Sequence, residues 1–158
     1  TYGHHQIWQF LNTELYPPIN PGDTIIGWKK AVHAEGANEM QYLKNLMLSR
    51  PYFTRVADQS MIKSAVGTTY VDIVSATRDE NESYAMIYLP QNSPVKIDLS
   101  KITGRSKNVW WYDVRTGVAI KEKPVSGNGI KAFTPPKTGK DWVLVIDDAA
   151  KKFEAPGK

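Results

Sequence analysis

From residue 65 to residue 148 the chain is a succession of short apolar runs, each stopped by turn-forming residues. The clearest run is 95–99, where Val95, Ile97 and Leu99 alternate with Lys96 and Asp98. A period of two sends alternate side chains to opposite faces of a strand. With it, runs at 69–76, 84–89, 108–114, 117–121, 129–133 and 141–146 predict seven strands. Between most of them stand turn residues: Asn92-Ser93-Pro94, Arg115-Thr116-Gly117, Ser126-Gly127-Asn128-Gly129 and Pro135-Pro136-Lys137-Thr138-Gly139. Such residues either tolerate positive φ, preset φ, or bond their own backbone. No helical pattern interrupts the series. The implied fold class is mainly β, an antiparallel β-sandwich or a small barrel. The alternation predicts burial of Val71, Ile73, Met86, Ile97, Trp111, Leu144 and Ile146, and the short 115–117 connection predicts positive φ at Gly117.

Residues 1–64 are of a different kind. Ile7, Trp8, Phe10 and Leu11 fit one or two helical turns. Pro17, Pro18 and Pro21 then exclude a regular element between Tyr16 and Gly22. From about 34 to 48, Met40, Leu43, Leu46 and Met47 recur at helical spacing, and Ser49-Arg50-Pro51 ends the pattern. Asp58 suits the cap of a short turn. The expected organisation is a helical segment over 1–64, a sandwich over 65–148 and a flexible tail over 149–158. The chain opens on Thr1 with neither an initiator Met nor a signal peptide, and so reads as a processed form or a fragment of something longer.

Composition removes several functions. There is no Cys, hence no disulfide, thiolate metal site or Cys nucleophile. The net charge of +4 is mild and its Lys and Arg are scattered, which gives no nucleic-acid surface. No apolar run approaches the ~18 residues of a membrane span. His4 and His5 are adjacent and point apart, and His33 has no acidic partner at ligand spacing, so no metal site is expected. Neither a Gly-x-Ser-x-Gly elbow nor a Gly-rich phosphate loop occurs, and no cofactor is expected. Glu14, Glu35 and Glu39 lack the paired carboxylate that glycoside hydrolysis needs, so no catalytic residue is assigned. Trp110-Trp111-Tyr112 is the densest aromatic cluster. In a strand, Trp110 and Tyr112 share a face; they are candidates for an exposed sugar-stacking platform, or else for buried packing.

Several segments resemble one family when taken in order. Tyr2-Gly3-His4-His5-Gln6-Ile7-Trp8-Gln9 resembles the last barrel strand of apiosidase-like glycoside hydrolases, and Trp28, 37–43, Arg50-Pro51-Tyr52-Phe53 and Asp58-Gln59-Ser60 resemble the segment after that strand. Ala76-Thr77-Arg78, 83–88, 110–117, Phe133-Thr134-Pro135-Pro136 and 141–148 resemble the attached C-terminal domain, a family labelled putative collagen-binding domain of a collagenase. One departure is Val114, where the family pattern has Pro, which should loosen the turn. The resemblance implies a secreted or periplasmic bacterial enzyme whose (β/α)8 barrel, completed by residues 1–64, cleaves plant cell-wall glycan. It implies that the catalytic carboxylates lie on earlier strands and that the partner of this chain is the upstream barrel. In such barrels active-site residues sit at the C-terminal ends of strands. Tyr2, His4, His5 and Trp8 occupy that location and become candidates for binding substrate, with closure of the barrel as the alternative. The sandwich is then an accessory domain on the barrel, or a module that binds glycan or collagen by itself.

Overall fold

The computed structural model describes residues 7, 10–15, 17, 26–69 and 71–158. They fall into two compact units, Thr1–Gln41 and Tyr42–Lys158. In the first, helix α1 (Trp28–Ala31) is tied to the preceding loop by the Trp28 N–H, which donates to the Leu11 carbonyl at 2.8 Å. Phe10 meets the Trp28 ring edge-on at 5.8 Å. Much of the expected turns around Ile7 to Leu11 and most of the proline-rich 16–22 path lie outside the described residues.

Helix α2 (Glu35–Leu48) matches the predicted 34–48 helix. It stops where Ser49 turns back, its N–H on the Asn45 carbonyl at 3.0 Å and its Oγ on the Leu46 carbonyl at 2.7 Å. Pro51 cannot supply the next helical donor. The face it buries differs from expectation. Leu46 is buried with Tyr42 beside it, while Leu43 is exposed.

The second unit is a two-layer sandwich with nine antiparallel strands among the described residues. They are β1 (Arg55–Ala57), β2 (Ser75–Asp79), β3 (Tyr84–Leu89), β4 (Val95–Asp98), β5 (Ser106–Asp113), β6 (Ala119–Lys121), β7 (Val125–Ser126), β8 (Ile130–Phe133) and β9 (Trp142–Asp148). The large sheet runs β1-β2-β3-β9-β5-β6, with β7 also on β5; β4 and β8 form the second layer. Register aligns Ala76, Ile87, Leu144 and Trp111 across one face. That row, with Val109, Trp142 and Ile146, packs on Val95, Ile97 and Phe133 of the small sheet to make the main core. Burying such side chains at about 25 cal/mol per Å² is the chief stabilising term.

The opposite face of the large sheet is also covered. Tyr84, Met86, Tyr112, Val143 and Val145 pack there under Leu46 of α2 and Phe153 of the C-terminal segment. Strand β9 is therefore buried on both faces along its whole length. Its near-continuous apolar sequence, Trp142-Val143-Leu144-Val145-Ile146, suits that central place.

Met86, Ile97, Trp111, Leu144 and Ile146 are buried as expected, but Val71 and Ile73 are 50% and 42% exposed. The predicted 69–76 strand is mostly a turn. The Asp72 carboxylate accepts from the N–H groups of Thr68 (3.1 Å) and Thr69 (2.7 Å), and the strand begins only at Ser75. An Asp side chain that binds nearby backbone competes with ladder formation. The sheet also starts earlier than residue 65. Strand β1 pairs with β2, and Met61 and Ile62 lie in the main core. A three-residue strand is too short to show alternation. The segment 149–158, expected to be flexible, is docked: Pro156 is buried and Phe153 meets Tyr84 edge-on at 6.3 Å.

Three single 3₁₀ turns share one device. Asp58, Asp98 and Asp148 each accept the backbone N–H two residues on, at 3.1, 3.0 and 3.0 Å. The expected cap at Asp58 is one of them. Its carboxyl is held below the usual range by hydrogen bonds from Ser60 and then from Arg78.

Gly117 has φ +72°, as its turn predicts. Its N–H donates to the Asp113 carbonyl at 2.8 Å, and Arg115 closes on the Asp113 carboxylate through its backbone N–H at 2.9 Å and its guanidinium at 2.7 Å. The turn is thus fastened by side chains although Val114 replaces the Pro of the family pattern. A Cβ at position 117 would overlap the Tyr42 ring. Gly117→Ala is expected to cost about 1 kcal/mol or more, from positive φ before any clash is added. Thermal melting checks this, and an unchanged midpoint would contradict it.

Candidate functional site

The most constructed polar feature of the second unit lies on the helix-covered face. Arg50, just past α2, reaches β9: its Nε donates to Asp147 Oδ1 at 2.8 Å and its terminal nitrogen to Oδ2 at 2.7 Å. Both side chains are 1% exposed. The same guanidinium donates to the Glu154 carbonyl at 3.0 Å and the Ser49 carbonyl at 2.6 Å, and sits 4.8 Å from the Phe153 ring centroid. Helix end, central strand and C-terminal segment are joined at one cation. Planar Arg suits this because its fork matches a carboxylate bidentately. Burial pushes the Asp147 carboxyl above its ordinary value, and the hydrogen bonds and charge of Arg50 oppose that push only in part.

Beside it, Arg55 of β1 forms a second brace. Its Nε donates to Tyr84 Oη at 2.9 Å and a terminal nitrogen to the Met47 carbonyl at 3.0 Å. Tyr84 Oη in turn donates to the Pro51 carbonyl at 2.6 Å. Burial raises the Tyr84 hydroxyl, so it stays a neutral donor. The 50–55 loop is thereby fixed from below. On its outer side Tyr52 is 53% and Phe53 98% exposed, their rings edge to face at 5.6 Å.

The aromatic candidates of β5 do not form a platform. Tyr112 is 1% exposed, and its hydroxyl donates to the Tyr42 carbonyl at 2.9 Å. Trp110 is half-buried on the same face, and Lys121 Nζ lies 5.1 Å from its ring centroid. The strand periodicity that pairs Trp110 with Tyr112 is right, but the face they share carries α2. Sequence periodicity assigns faces without saying which face is covered. Tyr2, His4, His5 and Trp8 lie outside the described residues. His33 is exposed, and no group of three or more potential metal ligands occurs among the described residues. Nothing in the sequence marks Arg50 and Asp147 as a pair, since 97 positions separate them. The one local signal is an Asp that closes an apolar strand.

Lys107 is another buried cation, with Nζ on the carbonyls of Gly104 (2.8 Å) and Gly127 (3.1 Å) and on Asn128 Oδ1 (2.7 Å). Burial lowers its pKa. All three ammonium protons are used, so it pins two loops together and leaves none for a ligand.

The family described as "Putative collagen-binding domain of a collagenase" matches residues 56–147, more than half of the chain. The chain belongs to this family. Ahead of that match, the family described as "Apiosidase-like, catalytic domain" matches residues 1–54. The two matches meet at Arg55, the first residue of β1. A solved structure described as "Glycoside hydrolase" is similar at 37% identity and TM-score 0.79, over 95% of this chain and 33% of its own. A second, a glycoside hydrolase family 5 protein from Bacteroides vulgatus, is similar at 35% identity and TM-score 0.79, over 99% of this chain and 34% of its own. The chain therefore spans about a third of the length of these solved relatives. No curated protein matches it. Among the described residues no helix is long and apolar enough to cross a membrane.

Proposed function

We propose that the chain is the C-terminal portion of a secreted bacterial glycoside hydrolase acting on plant cell-wall glycan in the apiosidase manner, and that the sandwich is an accessory domain docked on the catalytic barrel. The observation that carries this reading is the junction. The catalytic-domain match ends at residue 54 and the sandwich match begins at 56, with no Gly- or Ser-rich linker between them. Arg50 and Arg55 instead brace that junction onto β9 and β3. A module that searches for its own ligand hangs on a flexible tether; a braced junction fixes orientation. Tyr2, His4, His5 and Trp8 are proposed as substrate-binding residues at the barrel end. Hydroxyl-bonding Tyr and His groups with a stacking Trp suit a sugar ring.

The alternative of a free-standing carbohydrate- or collagen-binding module is less well supported. Of its best platform residues, Tyr112 is buried and Trp110 half-buried beneath Lys121. The proposal predicts that the isolated 158-residue chain releases no sugar from pectic oligosaccharides, because two carboxylates must flank the scissile bond. The protein extended through its catalytic domain should release apiose. Release in proportion to enzyme by the short chain, or none by the extended one, would sink the reading.

A further inference from the structure

The Tyr52–Phe53 pair is the feature of the second unit that its own packing leaves unexplained. A Phe at 98% exposure contributes no burial to the fold. The surrounding stretch adds exposed Leu43 and Leu48. Yet the backbone beneath is not loose. The Arg55 guanidinium lies 5.5 Å from the ring centroids of both Tyr52 and Tyr84, and Tyr84 holds the Pro51 carbonyl. Aromatic side chains presented on a braced loop lose little freedom when they bind, and such residues dominate interface energies.

We infer that Tyr52 and Phe53 are the anchor by which the sandwich seats on the body of its own catalytic domain. This inference rests on the reading proposed above and names the contact that would carry it. The occupant is chosen by three observations. The pair lies at the end of the stretch, 1–54, that matches the catalytic domain, while Arg50 and Arg55 on either side of it are bonded into the sandwich. The pair thus belongs to one domain by sequence and is held by the other. The solved relatives have about three times the chain length, so a surface large enough to cover the pair is expected beside it. A sugar is the poorer occupant. Stacking that used both rings would need a shared flat face, whereas these rings meet at 83°.

The test replaces Phe53 with a photoreactive benzoylphenylalanine in the protein extended through its catalytic domain, irradiates it with and without pectic oligosaccharide, and maps cross-links by mass spectrometry. The expected product is an intramolecular link to a peptide that precedes Thr1 in the extended protein. A link to a second copy, a link to the oligosaccharide, or a yield no greater than from the same probe at exposed Lys131 would overturn the inference. Phe53→Ser provides the second measurement. It should leave the melting of the 158-residue chain unchanged; the extended protein is expected to melt in one transition, and its Phe53→Ser variant in two. Equal loss in both would make Phe53 a residue of the sandwich's own fold and overturn the anchor. Sugar release is assayed on the same preparations. Its absence counts against the proposed activity, while the cross-link map still decides the anchor.

Discussion

Replacing Arg50 with Met is expected to remove about 3–5 kcal/mol of stability, the usual consequence of deleting one partner of a buried ion pair. The loss comes less from the Coulomb attraction than from what stays behind. Asp147 is 1% exposed, and each of its oxygens accepts a hydrogen bond from Arg50. The Glu154 carbonyl also loses a donor. Two further results should accompany the loss. The double variant Arg50→Met with Asp147→Leu should recover most of it, because an apolar pair of similar volume leaves no orphaned charge. The single variant should also gain a pH dependence that the wild type shows only weakly. Burial already raises Asp147 in the presence of Arg50, and without that guanidinium the rise is larger. A carboxyl whose folded pKa exceeds its unfolded value, about 3.9, costs nothing below both values. Its cost grows as pH rises from the unfolded value through the folded one and is complete above it. The gap between variant and wild type should therefore narrow on acidification. Urea denaturation across that range measures it, and a gap that widens toward low pH would refute the account.

Trp111→Ala and Trp110→Ala should differ sharply although the residues are neighbours. Trp111 lies between the two sheets, in register with Leu144, and its removal leaves a large cavity. Loss of about 3–5 kcal/mol is expected for a buried Trp. Trp110 is half-buried on the other face, under Lys121, and its loss should cost about 1–2 kcal/mol by partial burial and the cation–π contact. Neither change should create or abolish saturable binding of the isolated chain to pectic oligosaccharide or to triple-helical collagen. Millimolar or tighter binding lost in Trp110→Ala, with stability intact, would restore the platform and favour the module reading. Circular-dichroism melting and a titration on the same samples separate the two.

The strand series was legible because period-two alternation and turn chemistry are local. The run from Val95 to Leu99, the Gly117 turn, the helix ending at Ser49 and the cap at Asp58 each depend on residues within a few positions. The same locality explains the misses. Val71 and Ile73 look like strand residues until the Asp72 carboxylate takes the backbone N–H groups of Thr68 and Thr69. Arg55–Ala57 is too short for a pattern and becomes a strand only because β2 lies beside it. The segment beyond Ala149 has the composition of a fraying tail, and is held by Tyr84, Tyr112 and Arg50 from distant parts of the chain.

By itself the sequence determined an antiparallel sandwich following a helical segment, and through its ordered motifs the resemblance to a glycoside hydrolase family. Only the tertiary structure decided which sheet face is closed and which side chains remain outside. Alternation places Trp110 and Tyr112 together on one face, but their burial depends on α2 and Phe153 packing there. Phe53 and Leu46 are equally apolar in sequence, yet one is exposed and the other buried. The difference arises from Arg50 and Arg55, whose bonds to Asp147 and Tyr84 fix the path of the loop between helix and sheet. Hydrophobicity states that a residue gains from being covered; the long-range polar contacts that orient the backbone select what covers it.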